Sequence, residues 1–188
     1  MSETSALKGL RQLLQCEGGV IATWLDGDSD RESDGAGGPA AAHGAPSPAR
    51  IAARGPRTEA RSAEYELLVE AIYEGYLLHY GTPRVLRAAE ADLRVLAGDR
   101  LYAIGLARLV ELGDTPAVAE LADTITLSAL AQGAGERALA EAVWNAGARA
   151  VGWGSTDAHK RAKELVADGS PAAIDAMRTS ASAAPGTP

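Results

Sequence analysis

Residues 59–80 constrain this chain more than any other stretch. There Tyr65, Leu68, Val69, Ile72, Tyr76, Leu77 and Tyr80 recur at i, i+3, i+4, i+7 spacing. Only a 3.6-residue period lines such positions up along one side, so the stretch predicts a strong amphipathic helix. Gly81 supplies the stop and Pro83 reinforces the break. The one strand candidate, Val20 to Leu25, is too short to build a sheet.

The same logic extends downstream. A second helix is expected from about Arg84 to Leu112, ended by Gly113, with a bend near Gly98. A third starts at Asp114 or Thr115, either of which can cap, with Pro116 suited to the first turn. Its stripe is Val118, Leu121, Ala122, Ile125 and Ala129. A fourth, from Glu136 to Val151, turns Leu139, Ala142, Val143 and Ala146 inward. Ser155 or Thr156 caps a fifth that Gly169 ends, and Ser170–Pro171 opens a short sixth carrying Ile174 and Met177. The fold class read from this succession is all-α: a single bundle of about six helices over residues 59–178.

The flanks read differently. Within residues 1–25, Leu7, Leu10 and Leu14 mark a short amphipathic helix followed by an apolar segment. A helix that short is marginal unless it docks. Its expected seat is its own domain; the alternative is a separate partner. Residues 26–58 are rich in Gly, Ala, Pro, Ser and charge, with nothing large to bury except Ile51, and read as a disordered linker. Residues 179–188 read as a disordered tail for the same reason.

Hydrophobic residues make up 46% of the chain, yet aromatics are only 4% and Phe is absent, which predicts a lean core of closely packed helices. A net charge of −7 repels phosphate backbones and disfavours nucleic acid. The lone Cys16 excludes an intrachain disulfide and a Cys-rich zinc site. No segment reaches the roughly 20 apolar residues of a transmembrane helix. The opening Ser2-Glu3-Thr4 lacks a signal's basic and apolar regions, so the expected location is cytoplasmic.

Several chemical constellations fail on inspection. Asp26-Gly27-Asp28-Ser29-Asp30 opens like a calcium loop, but Arg31 and Gly37 stand where the turn glycine and the bidentate glutamate belong. His43, His79 and His159 share no spacing that makes a zinc site. Trp144 and Trp153 read as gap fillers among small residues; exposed beside Tyr73 or Tyr102, they would instead favour an apolar partner or a lipid-like ligand. No catalytic, cofactor or metal residue is assigned.

One candidate polar core position stands out. Residues 95–110, VLAGDRLYAIGLARLV, are apolar or Gly except at Asp99, Arg100 and Arg108, which predicts a central helix surrounded by others. Asp99 in such a helix must either pair with an arginine or face a polar cavity. Gly98 and Gly105, seven apart, lie where a neighbour can pack close.

The run Leu96-Ala97-Gly98-Asp99, continuing Leu101-Tyr102-Ala103 and Leu109-Val110-Glu111-Leu112-Gly113-Asp114, resembles the LAGD helix of the trans-isoprenyl diphosphate synthases, the polyprenyl synthetase family. Leu121-Ala122-Asp123 and Gly135-Glu136 are similar to that family's next helix, and Leu77-Leu78-His79 to the helix before its first Asp-rich motif. The resemblance spans roughly residues 63–136 and implies an isoprenoid-synthase-like bundle. The family holds its allylic diphosphate through Mg²⁺ on two DDxxD motifs. Here Tyr80 and Gly81 follow His79 where the first aspartates belong, the second motif is missing, and so is the Gly-Lys-Arg segment. The resemblance therefore implies a degenerate member: a non-catalytic small subunit, homo-oligomeric or bound to a partner subunit. Two alternatives remain open. One is a helical adaptor; the other is a prenyltransferase binding Mg²⁺-diphosphate through Glu90, Asp92 and Asp99.

Overall fold

A computed structural model describes residues 5–25, 46–87 and 90–182. Its elements are α1 (Ser5–Glu17), α2 (Gly19–Ala22), α3 (Pro48–Ala53), α4 (Ser62–Tyr80), α5 (Ala91–Glu111), α6 (Thr115–Gly133), α7 (Arg137–Trp153), α8 (Asp157–Ala167) and α9 (Ala173–Ser182). Among the described residues the fold is all-α. Extended pairing among the described residues is limited to one isolated bridge between Leu25 and Leu86; the Val20–Leu25 stretch, too short to build a sheet, carries most of the single turn of α2 instead.

Of the predicted stripe of α4, Tyr65, Leu68, Val69, Ile72 and Tyr76 are buried, Leu77 is half-buried and Tyr80 is exposed; Glu70, Ala71, Glu74 and Gly75 are buried as well, so most of α4 is covered on almost every side. It shares the centre with α7, whose Ala-rich sequence buries Ala140, Ala142, Ala146, Gly147 and Ala148. The two meet through large side chains, Tyr73 and Tyr76 against Trp144. α5 lies chiefly on α4, α6 chiefly on α7, and α5 touches α6 only lightly. α1 seats Leu10 and Leu14 in a cluster with Ala71, Leu78, Leu101 and Ile104, so its apolar side is used on its own bundle. α8 and α9 close the far side around Val143, Ala162 and Met177.

Local signals account for the helix ends. Asp114 accepts a hydrogen bond from the Ala117 amide at 3.1 Å, the N-cap expected for α6, and Pro116 follows in its first turn. Gly113, at φ +78°, turns the chain from α5 into α6. Thr156 caps α8 through the His159 amide at 3.1 Å.

Three expectations are corrected. α5 begins at Ala91 rather than Arg84, because the buried Glu74 carboxylate accepts the amides of Arg84 and Val85 and holds residues 84–85 out of a helix. The linker assigned to residues 26–58 does not extend over residues 46–58; residues 26–45 lie outside the described residues. Ser47 caps α3 with Pro48 at its start, and Ala49, Ala52 and Ala53 are buried against α4 and α7. A Cβ on Gly55 would stand 2.1 Å from the Gly152 carbonyl oxygen, so this segment is fixed by backbone contact that only small residues allow. The tail assigned to 179–188 is helical through Ser182, with Ser180 buried; residues 183–188 lie outside the described residues.

Candidate interaction surface

Asp99 is not a core position. Its side chain is 63% exposed, with Oδ1 3.2 Å from His79 Nε2. The central places belong to α4 and α7, and α5 turns only Ala97, Gly98, Leu101, Ile104, Gly105 and Leu109 inward. Gly98 and Gly105 do act as foreseen, admitting His79 and Ile72 of α4 into the space a side chain would fill. Glu90 and Asp92 stand exposed at the start of α5. Among the described residues, no three His, Cys, Asp or Glu side chains come together in a group able to hold a metal ion. His43 and Asp26–Asp30 lie outside the described residues. Cys16 is exposed at the end of α1.

The buried charges lie elsewhere, in three networks. In the first, Arg84 pairs with both Glu70 and Glu74 and covers the Tyr73 ring, its guanidinium carbon 5.3 Å from the centroid. Burial pushes the Glu70 carboxyl above the usual range, against the pull of Arg84. In the second, Asp114 accepts from Tyr65 at 2.7 Å and from Arg57 at 3.1 Å, while Arg57 also donates to the Val151 carbonyl at 2.7 Å. Burial raises the Asp114 carboxyl, but these donors and the Ala117 amide outweigh it and hold the group below its ordinary value. Burial and the same bond push the Tyr65 hydroxyl up to about 12.

In the third network, His159 Nε2 lies 2.6 Å from Glu120 Oε1 and Nδ1 lies 2.8 Å from Ser180 Oγ. Lys163 reaches Glu120 at 3.1 Å and Asp123 at 2.7 Å. Serine, histidine and glutamate in line have the components of a nucleophilic relay. Yet His159 is only 2% exposed and Ser180 7%, so both ends of the imidazole are closed off. The Ser180 hydroxyl can donate to a neutral ring or accept from a charged one, so the chain of bonds survives either state. Its work is to tie α6, α8 and α9 together. None of these partners was signalled by local pattern, since they stand 39 and 21 residues apart in sequence.

The aromatic cluster is filled. Tyr73 and Tyr76 have ring centroids 5.0 and 5.2 Å from Trp144 and 5.7 Å from each other, leaving no room for a ligand between them. Its outer extension is open: Tyr80 is 42% exposed, and Tyr102 stacks on His79 at 5.3 Å with planes 7° apart.

Beyond that edge lie the large apolar side chains left exposed. The large hydrophobic side chains left exposed among the described residues are Tyr80, Val95, Leu96 (61%), Val110 (56%) and Leu130 (52%), all on the end of α4, on α5 or on α6. On α5, Leu96, Ala103 and Val110 recur every seven residues with Ala107 beside them, all exposed. On α6 the exposed row is Ala119, Ala122, Thr126, Leu130 and Gly133. The acids of α6 are Glu120 and Asp123, and both are held by Lys163. On α5, Arg100 and Arg108 pair with Glu17, while Asp99 lies near His79 without a hydrogen bond to it and Asp92 and Glu111 stand exposed. The all-round apolarity of α5 was the signal for this exposure, read as burial inside one bundle. No helix among the described residues is long and apolar enough to cross a membrane.

No family model, curated protein or solved structure matches this chain.

Proposed function

We propose that this protein is a non-catalytic helical subunit that works by helix–helix association, with the outer face of α5 and α6 as its working surface. The observation that carries the reading is that, among the described residues, the exposed large aliphatic side chains Val95, Leu96, Val110 and Leu130 all lie on those two helices, with only Tyr80 at the end of α4 beside them. The resemblance of residues 63–136 to a degenerate polyprenyl synthetase is consistent with such a role, because a subunit that has lost its Asp-rich motifs keeps helices and not chemistry.

Photo-crosslinking tests this reading. A benzophenone amino acid at Leu96 or Leu130 is expected to give covalent protein adducts in cells producing the full chain, and one at exposed Lys160 on α8 is not. Equal yields at all three positions would remove the preference on which the reading depends. Turnover of any prenyl diphosphate with Mg²⁺ by the purified chain would overturn its non-catalytic part.

A further inference from the structure

We propose that the groove now filled by α1 is a helix-binding site. α1 occupies it in cis, swings out about Gly18 and Gly19, and gives way to an amphipathic helix of a partner protein. That helix carries leucines four residues apart and a carboxylate three residues after the second. On α5 the groove takes Ala97, Leu101 and Ile104, a different row from exposed Leu96, Ala103 and Val110, so it stands whether or not the outer face binds anything.

The seat has the form of a helix-reading groove. Ala71 and Leu78 of α4, Val85 of the following loop, and Ala97, Leu101 and Ile104 of α5 line it, all of them buried. Into it α1 sets Ala6, Leu10 and Leu14, the narrow stripe of a docked amphipathic helix, and leaves Lys8, Gln12 and Gln15 in solvent. At the rim, Arg100 and Arg108 donate to Glu17 at 2.9 and 3.5 Å. The apolar stripe supplies the attraction, and two guanidiniums at one end select an occupant with an acid at that place. α1 is thus the template for what the groove recognises.

The same helix is mounted to leave. Gly18 and Gly19, at φ +67° and +68°, separate α1 from α2, and a Cβ on either would meet nothing within 4 Å. Two successive glycines in open space make a pivot. Past the pivot the chain is anchored: Leu25 bridges Leu86, and the Arg87 amide donates to the Trp24 carbonyl at 2.8 Å. α1 has 13 residues and is marginal as a helix once off its seat. Its departure uncovers Leu78, Leu101 and Ile104 but leaves the central cluster around Trp144, which α1 does not enter. Bare apolar side chains then favour a replacement helix over water.

The test uses the full chain and, as probe, a labelled synthetic peptide of residues 5–17 followed by fluorescence anisotropy. In wild type the attached α1 competes at an effective concentration of about 1 mM, so the peptide should bind at least about 10-fold more tightly to L10E/L14E, whose own α1 cannot re-enter. Equal binding to both, or binding to neither, overturns the proposal. L10E/L14E should keep a cooperative melt and lose no helix beyond α1; a variant that unfolds makes α1 part of the core and overturns it too. In wild type, hydrogen exchange should run faster in α1 than in α4, and equal protection overturns the pivot. Adding R100E/R108E to L10E/L14E should abolish binding of the peptide and restore it when the peptide carries Glu17→Arg; binding indifferent to both changes overturns the groove as the site. A second peptide, keeping Ala6, Leu7, Leu10, Leu13, Leu14 and Glu17 with every other position changed, should bind L10E/L14E within about three-fold of the first. Its failure overturns the stripe and acid as the partner's signature. A wild-type dimer that L10E/L14E abolishes gives the groove to α1 of a second copy and overturns the partner helix.

Discussion

Replacing Arg84 with Met strands two buried carboxylates, and the cost can be worked from the contacts. Glu70 and Glu74 are 2% and 0% exposed, and Arg84 bridges them. Glu74 keeps the Arg84 and Val85 amides whatever side chain stands at 84, so it remains solvated by backbone. Glu70 loses its cation. Breaking a buried ion pair from one side costs about 3–5 kcal/mol, and the Arg84 side chain is 32% exposed, which argues for the low end, about 3 kcal/mol. With a urea m-value of about 2 kcal/mol/M, the unfolding midpoint should fall by about 1.5 M at pH 7.5. Tryptophan fluorescence reports it, since Trp144 is buried against Tyr73 and Tyr76.

The pH dependence follows from the sign of the Glu70 shift. Its folded pKa lies above the unfolded value, so ionised Glu70 opposes folding. That cost is absent below the unfolded pKa of about 4.3 and grows as pH rises towards the folded one. Removing Arg84 raises the folded value further, so the deficit of R84M should shrink as pH falls from 7.5 to 5. Adding E70M should restore most of the midpoint, because the stranded carboxylate is gone. A deficit of the same size at both pH values, or an E70M/R84M double variant no more stable than R84M, would refute this account.

Other expectations are narrower. Y65F removes the 2.7 Å bond to Asp114 and should cost about 1 kcal/mol. D114A removes the α6 cap as well and should cost about 2 kcal/mol or more in urea titrations. Because the Asp114 carboxyl is depressed in the folded state, its contribution is present above the unfolded pKa and lost as pH falls through the folded one; Y65F should flatten that acid limb. S180A should cost about 1–2 kcal/mol by leaving His159 Nδ1 unpaired, with hydrogen exchange rising first in α9. G55A should cost more than either, since its Cβ would meet Gly152 backbone that cannot swing aside, whereas G133A, in open space at the end of α6, should be neutral or stabilising by up to about 1 kcal/mol.

What the sequence could and could not disclose divides along a physical line. Helix existence and capping are local: the α4 stripe, Asp114 with Pro116, Gly113 and Thr156 all act through neighbours within a turn or two, and each stands where pattern placed it. α3 was hidden because Ala49, Ala52 and Gly55 contribute by letting α4 and α7 come close, and closeness is a property of the partner. Glu70, Glu74 and Glu120 were hidden for a related reason. Carboxylates at helical spacing read as a solvated side until a cation from another segment, Arg84 or Lys163, is brought to them. Asp99 erred the other way: apolar neighbours on all sides implied one enclosing bundle, when α5 has one apolar side for α4 and another facing out.

The placement of the three polar networks bears on that second side. Alanine and glycine stripes pack closely but slide easily, since one small residue fits a neighbour's groove nearly as well as the next. Each network fixes a joint where such sliding would start: Arg84 sets the loop before α5 on α4, Arg57 and Asp114 lock the start of α4 to the start of α6 and the end of α7, and His159 pins α9 to α6. Directional bonds in a lean core fix the register that size alone leaves loose. The outer rows of α5 and α6 have small residues and no such bond, although the same chain supplies one at each internal joint. On the proposed reading such a surface takes its register from what docks on it, and Leu96, Ala103 and Val110 are spaced by seven residues along it.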